Sequence, residues 1–557
     1  MCGIFALLNQ EIDNDIYNAF LLGQNRGPED SVLVAGKKED NYIFGFHRLA
    51  INGLNSESSQ PLRFLNCKLI CNGEIYNYKE LEQLLDIKLN TQSDCEIIIH
   101  LYRKFGIVDT LKKLDGVFAF ILLDEINKNI FVARDRFGVR PLFEQINEED
   151  TDIYGFASEV KVLKNLSEKN ETLQNLEAGR NNSINTFLPG TYKQFIYNHG
   201  VYEFFCSDYY YNYPSSYLFF RDESLINHHI VDSFEKAIKK RVVDTTDRPI
   251  ACLLSGGLDS SIVCALVAQY YGNNNLETYS IGLEGSEDLK YAQLVADFLG
   301  TKHTNVIVSE TEFFQAIPEV IYAIESYDTT TVRASVGNYL IGKYIKENSE
   351  AKVIFNGDGS DELMGGYIYF NSCPNSSEFD KECKRLLNDI HYFDVLRSDR
   401  CISTHGLEPR TPFLDYTWVN AYLSIEPNQR FQAGKIEKYL FRNAFQRLKP
   451  EILPEDILWR NKEAFSDGVS SLNRSWYEII DEKVKYLYKF NFIQEQIKPY
   501  LTEDNTLEKA YYRFLYEKHF RNLGHLIPYF WMPKFVEAND ASARTLKTYN
   551  KLLVSAV

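Results

Sequence analysis

The sequence predicts two successive architectures. The first is an α+β half of antiparallel sheets sandwiched by helices; the second is an α/β half with a parallel sheet and a helical C-terminal part. Three observations carry this. Up to about Gly190, short β-branched and aromatic runs are broken by turn formers. From about residue 221, strand-like and helix-like runs alternate. At their first junction, "LLSGGLDSS" (253–261) sets a glycine pair between a strand and a helix.

In the first half, "KLICNGEIYN", "GVFAFILLDEINKNIFVARD" and "DIYGFASEV" read as strands, and "FAFILLD" and "NIFVARD" pair as a hairpin through "EINK". Residues 164–187 are polar and read as a surface insertion. The boundaries expected are a first domain over 1–200, a linker over 201–220 that ends in the aromatic stretch "DYYYNYPSSYLFF" (208–220), and a second domain over 221–557. There Ile230, Phe234, Ala237 and Ile238 have helical spacing. "IACLL", "LETYSIG", "TNVIVS" and "KVIFN" are short buried-type strands, with helices between them, and from about residue 370 the chain is mostly helical.

Hydrophobic residues make up 45% and charged residues 25% of the 557, an ordinary soluble balance. The net charge of −17 argues against a phosphate-backbone binder, which needs a basic surface. Ten cysteines without a CxxC pair read as core thiols of a reducing compartment, with Cys67 and Cys71 on one face of a strand. No apolar run reaches the ~18 residues of a membrane span, and the start lacks a basic region, so the expected location is cytoplasmic.

The motif at 253–261 points to phosphate chemistry. Gly256 and Gly257 allow a tight turn; Ser255, Ser260 and Ser261 add hydroxyls; free amides at a helix start cradle an anion. "GNYLIGKY" (337–344) is no phosphate loop, because it lies in a helical run and ends in Tyr344 where Ser or Thr is needed. "FNGDGSDELMGGY" (355–367) sets Asp358, Asp361 and Glu362 among glycines after a strand; carboxylates near a polyphosphate hold magnesium.

The opening "MCGIFALL" suggests a nucleophile. Removal of Met1 would give Cys2 both a thiol and an α-amine of pKa ~7.7–8.0, a base beside its own nucleophile. "NRGPED" (25–30), "FHRLAI" (46–51), "CNGEIYN" (71–77), "SDCE" (93–96), "LDGVFAF" (114–120), "DRFGVRPLF" (135–143) and "FASEVK" (156–161) follow in order. This series resembles the glutaminase domain of class II glutamine amidotransferases, which are N-terminal nucleophile hydrolases. The 253–261 loop resembles that of the N-type ATP pyrophosphatases. With "WMPKF" (531–535) and "SARTL" (542–546), the whole chain resembles the glutamine-hydrolysing asparagine synthetases.

The resemblance implies roles residue by residue. Cys2 attacks the glutamine amide; the Asn72 side chain and Gly73 amide hold the oxyanion; Arg48 takes the substrate carboxylate, and Glu74 and Asp94 its ammonium. In the second domain Ser255, Gly256, Gly257 and Ser260 hold pyrophosphate, and Asp259 and Asp361 hold Mg2+. Leu253, Ile281, Asn356 and Gly357 line the nucleotide site, and Asp394 matches another family position. Lys462 neutralises the α-phosphate, Thr330 and Arg333 hold the acyl-adenylate, and Asp358 handles ammonia. The implied substrates are glutamine, aspartate and ATP; the implied reaction runs through β-aspartyl-AMP, with ammonia passing along an apolar tunnel. A homodimer is implied, and neither nucleic acid nor membrane.

This chain departs from the family pattern at Asn356-Gly357-Asp358, where the family has Ser-Gly-Glu, at Glu29 in "RGPED", and at Pro409. A β-lactam-synthetase-like ligase on another carboxylate is the enzyme alternative, but such proteins lack the working N-terminal cysteine. A non-catalytic homologue would show losses at reactive positions, yet the swaps here are conservative.

Overall fold

The computed structural model describes residues 1–37, 40–147, 154–170, 182–462, 465–471, 474–502 and 505–546. The chain divides into two compact units. The first comprises Met1–Asn212 with two later segments, Asp244–Arg248 and Ser403–Glu408; the second holds the remainder.

The strands of the first unit are β1 (Gly3–Leu8), β2 (Asp30–Ala35), β3 (Tyr42–Arg48), β4 (Leu62–Phe64), β5 (Cys67–Ile75), β6 (Gly116–Asp124), β7 (Asn129–Arg134), β8 (Phe143–Asn147), β9 (Tyr154–Ala157), β10 (Asn182–Thr186), β11 (Thr191–Asn198) and β12 (Val201–Tyr209). They form two sheets, ordered β10-β8-β9-β1-β3-β2 and β12-β11-β7-β6-β5-β4. Successive side chains of a strand point to opposite faces, and each face finds a different partner. On β6, Ala119, Ile121 and Leu123 join Ile70 of β5, Ala6 of β1 and Phe44 of β3 in one core. The alternate Phe118, Phe120 and Leu122 join Cys67, Leu69 and Cys71 of β5 in a second core, closed by Leu81 and Leu85 of α1 (Tyr78–Leu85) and Ile97, Ile98 and Leu101 of α2 (Ile97–Lys113). The β6–β7 hairpin closes at Asp124↔Asn129, around the turn read from "EINK".

Residues 201–209 are not a linker. They form β12, antiparallel to β11, and the Tyr210 hydroxyl donates to the Arg134 carbonyl in the core of this unit. The stretch read as an insertion starts inside α3 (Val160–Asn170) and ends in β10; residues 171–181 lie outside the described residues.

The second unit opens with α4 (Glu223–Lys239), which buries Ile230, Phe234, Ala237 and Ile238 as the spacing predicts. Its sheet, ordered β15-β14-β13-β16-β17, contains β13 (Ile250–Leu253), β14 (Glu277–Leu283), β15 (Lys302–Val308), β16 (Val353–Phe355) and β17 (Glu408–Arg410). β13 pairs in parallel with both β14 and β16. Helices α5 (Leu258–Tyr271), α6 (Glu287–Leu299) and α7 (Thr329–Asn348) follow β13, β14 and β15 in the chain. α7 contains the "GNYLIGKY" run, as expected of a helix. The first crossovers run outward to β14 and β15, and the next strand returns to the other side of β13. The sheet therefore reverses between β13 and β16, and ligands of such sheets bind at the carboxyl ends of the strands at this reversal. Those ends carry 253–261 and 355–367.

Candidate functional sites

In the first unit, β1 and β3 run antiparallel with Gly3 opposite His47, which brings Cys2 beside Arg48. The Cys2 thiol donates to the Leu49 carbonyl at 3.6 Å and packs against the inter-sheet core that includes Ile70. Burial pushes this thiol up, and the neighbouring amine pulls it back only in part. Asn72 lies two residues beyond Ile70 on β5 and so shares its face. Its side chain is 1% exposed, and neither its nitrogen nor its oxygen has a hydrogen-bond partner. A buried unpaired amide costs about 1–3 kcal/mol, so this one is poised for a ligand.

β5 holds this place because Gln60 completes its ladder: the Gln60 side-chain nitrogen donates to the Cys71 carbonyl at 3.0 Å, and its oxygen accepts from Cys71 N at 2.6 Å. A Cβ on Gly73 would lie 2.5 Å from the Val117 carbonyl, so only glycine lets β5 and β6 approach there. Glu74 and Asp94 are both buried, and Asp94 accepts from Ile75 N at 2.5 Å. The Arg48 guanidinium donates to the carbonyls of Gly53 (2.9 Å) and Asn55 (2.7 Å).

In the second unit one cavity collects most of the residues assigned to nucleotide chemistry. Leu253, Ser255, Gly257, Asp259, Ser260, Ile281, Thr330, Asn356, Gly357, Asp358, Asp361, Asp394 and Lys462 line it. Gly257 caps α5 without any side-chain hydrogen bond, so the first amides of this 14-residue helix face the cavity unsatisfied. Ser255 and Ser260 brace the turn, their hydroxyls 3.1 Å apart. Gly256 does not line the cavity. It has φ +72°, and a Cβ there would lie 2.4 Å from the Tyr291 backbone, so it serves the path of the loop. Gly357 permits another close approach: its Cβ would meet Asp259 Cβ and Ser260 N at 2.9 Å.

The carboxylates Asp259 and Asp361 share two lysines. Lys438 Nζ lies 2.6 Å from Asp259 and 2.5 Å from Asp361; Lys462 Nζ lies 2.7 Å from Asp361 and 3.7 Å from Asp259. Burial raises the Asp361 carboxyl, but the two lysines override this and hold it well below the ordinary range. Burial lowers Lys462, and Asp361 and Asp259 more than reverse it. Nearby, Arg397 donates to both Asp358 and Asp394 at 2.8 Å. Burial raises the Asp358 carboxyl, which Arg397 opposes. Thr330 Oγ1 is buried without a hydrogen-bond partner.

A glutamine amidotransferase domain model matches residues 1–199, and an asparagine synthase model matches 229–378 and 371–531. Curated relatives match nearly end to end. The asparagine synthetase [glutamine-hydrolyzing] of Gallus gallus is 40% identical, covering 99% of this chain and 100% of the relative. Those of Homo sapiens (39%) and Mus musculus (41%) each cover 99% of both chains. The chain belongs to the glutamine-hydrolysing asparagine synthetase family.

Besides Gly256, one more residue assigned to this chemistry stands apart from the cavity. Arg333 does not line the cavity. It is 3% exposed, and four of its N–H groups are spent on two carboxylates: Nε and Nη2 on Glu508 at 2.9 and 2.6 Å, Nη1 and Nη2 on Asp540 at 2.8 and 2.9 Å. Its neighbour Thr330, three residues earlier on nearly the same face of α7, does reach the cavity. Lys438 and Arg397 are cavity residues that sequence reasoning missed. Both C-terminal motifs also reach this cavity, through Trp531, Pro533, Ala543 and Leu546.

Proposed function

We propose that this asparagine synthetase family member makes asparagine from aspartate and ATP with ammonia from glutamine. It would act in the cytoplasm and, on family precedent, as a homodimer. Ten free cysteines fit a reducing compartment, and among the described residues no helix is long and apolar enough to cross a membrane. The observation that carries the reading is the Asp259–Asp361–Lys438–Lys462 cluster before an uncapped helix start, at the reversal of the sheet.

At the first site, once Met1 is removed, the Cys2 amine accepts the thiol proton as sulfur attacks the glutamine amide carbon. Asn72 and the Gly73 amide take the oxyanion, the Cys2 amine returns the proton to the leaving nitrogen, ammonia departs, and water hydrolyses the thioester to glutamate and the free thiol. Arg48, Glu74 and Asp94 orient the amino-acid end. At the second site the β-carboxylate of aspartate attacks the α-phosphorus of ATP and pyrophosphate leaves. Ammonia then attacks the acyl carbon, Asp358 accepts its proton, and AMP departs. Lys462 stabilises charge on the α-phosphate, and Thr330 Oγ1 donates to the adenylate.

Two adjacent hard-oxygen carboxylates suit Mg2+, which is usually held by one or two carboxylates plus substrate phosphates. Asp259 and Asp361 would hold it, and the ion would screen charge on the leaving pyrophosphate.

The test combines product analysis and intact mass on protein given glutamine, aspartate, ATP and magnesium. We expect asparagine, glutamate, AMP and pyrophosphate, with Met1 absent. Cys2→Ala should lose the glutamine-dependent reaction and keep the ammonia-dependent one. Glutamate without asparagine in the unaltered enzyme would overturn the aspartate assignment.

A further inference from the structure

Arg48, which meets the substrate in the reading above, ends β3, and the Leu49 carbonyl, which meets the nucleophile, opens a loop with no strand partner of its own. Its backbone is instead held by residues distant in sequence. Asp247 Oδ2 accepts from Gly53 N at 2.9 Å, and Asp247 N donates to the Ile51 carbonyl at 2.8 Å. Arg248 Nε donates to the Ala50 carbonyl at 2.8 Å. Arg248 Nη2 also pairs with Glu29 Oε1 at 2.7 Å, while Glu29 Oε2 accepts from Ala50 N at 2.9 Å. Every one of these residues lies in the first unit, although 247 and 248 immediately precede β13 in the chain.

Four polar groups of residues 50–53 are thus satisfied by a pair of residues about 200 positions away and by Glu29. The same loop returns the favour to Arg48: the Gly53 carbonyl, on the residue Asp247 grips, is one of the two that hold the guanidinium. Gly53 has φ +69°, and a Cβ there would fall 2.5 Å from Ser58 Oγ, so its placement leaves little slack. The departure at Glu29 also has its account here, since each of its two oxygens has a separate task.

We propose that Asp247, Arg248 and Glu29 are positioning residues for glutamine hydrolysis: they hold the 49–53 loop so that Arg48 and the Leu49 carbonyl stay in register with the substrate and Cys2. The proposal rests on the glutaminase reading above. None of the three touches the substrate; they act through the loop, so their loss is felt mainly in glutamine binding.

The experiment measures glutamate release against glutamine concentration, and ammonia-dependent asparagine synthesis, on the full-length enzyme. Asp247→Ala should raise KM for glutamine roughly tenfold or more, the scale of a lost charge-assisted hydrogen bond. Its kcat for glutamate release should change less, and ammonia-dependent synthesis should stay within about twofold. Asp247→Asn, whose amide oxygen still accepts from Gly53 N, should restore most of the KM. Glu29→Gln should fall between, losing the ion pair with Arg248 but keeping an acceptor for Ala50. An unchanged KM in Asp247→Ala would overturn the proposal. So would equal loss of both activities, which would make the segment a support of the whole fold. Failure of the underlying reading gives a different result, because the unaltered enzyme would then release no glutamate.

Discussion

Arg333→Met separates a structural role from a catalytic one. In the folded chain the guanidinium sits between Glu508, 3% exposed, and Asp540, 13% exposed, and stacks 4.6 Å above the Tyr477 ring. Burial raises the Asp540 carboxyl, but Arg333 more than offsets this and leaves it below its ordinary value. Methionine fills similar volume but strands both carboxylates. Breaking a buried pair from one side costs about 3–5 kcal/mol, a large share of a typical 5–15 kcal/mol stability. At roughly 2 °C per kcal/mol for a large domain, the melting temperature should fall roughly 5–10 °C. Removing the stranded charges as well, in Arg333→Met/Glu508→Gln/Asp540→Asn, should recover most of that loss. A kinetic signature accompanies the thermal one. Asp540 adjoins Ala541, and Ala541, Ala543 and Leu546 line the nucleotide cavity, so KM for ATP should rise in the single variant. Differential scanning calorimetry and ATP-dependent pyrophosphate release are the assays. A variant with an unaltered melting temperature and no synthesis would refute this reasoning and return Arg333 to the adenylate.

Two further outcomes concern single residues. Burial pulls the His47 imidazole, stacked on Phe20, down to about 4. The unfolded chain therefore binds that proton first, and the stability is full above pH ~6.5 and lost as pH falls toward 4, about 3 kcal/mol in all. His47→Gln should flatten the fall in melting temperature between pH 7 and 4.5; an identical slope would remove His47 as the cause. The window is distinct from that of Glu96, whose carboxyl is held near 2, against the effect of burial, by His100, Thr91 and Asn90. Gly256→Ala places a Cβ against the Tyr291 backbone at an unfavourable φ, so pyrophosphate formation should fall at least tenfold while glutamate release from glutamine persists; normal pyrophosphate formation would show that the loop can move away.

What could be read from the sequence was what neighbouring residues decide. The β6–β7 hairpin, the buried stripe of α4 and the strand–glycine–helix turn at 253–261 depend on spacing within a dozen residues, and the structure contains all three. Asn72 and Gly73 entered through the resemblance carried by "CNGEIYN", and both lie on β5. The end of the first unit was less so, because the aromatic run after Val201 carries no sign that its first nine residues pair with β11. Arg333 could not be told apart from its motif neighbour for a related reason: Thr330 does reach the cavity, while the carboxylates that claim Arg333 lie 175 and 207 residues away.

Lys438 shows where that limit bites hardest. In "GKIEKYLF" nothing distinguishes it from an exposed lysine, yet it is buried and bridges Asp259 and Asp361. The close approach has a price in the backbone: Lys438 has φ +58°, and its side chain passes where a Cβ on Gly366 would stand. Two acidic groups within reach of one ammonium repel each other until a cation lies between them. Lys438 and Lys462 supply that charge, and together they hold the Asp361 carboxyl well below the ordinary range. In the reading proposed above, a divalent ion brought by the triphosphate would take the lysines' place between the two carboxylates and leave the lysines facing phosphate oxygens. In that reading Lys438 and Lys462 balance Asp259 and Asp361 before ATP binds and would turn to its phosphates afterwards, so that each of the two aspartates has a cation to exchange.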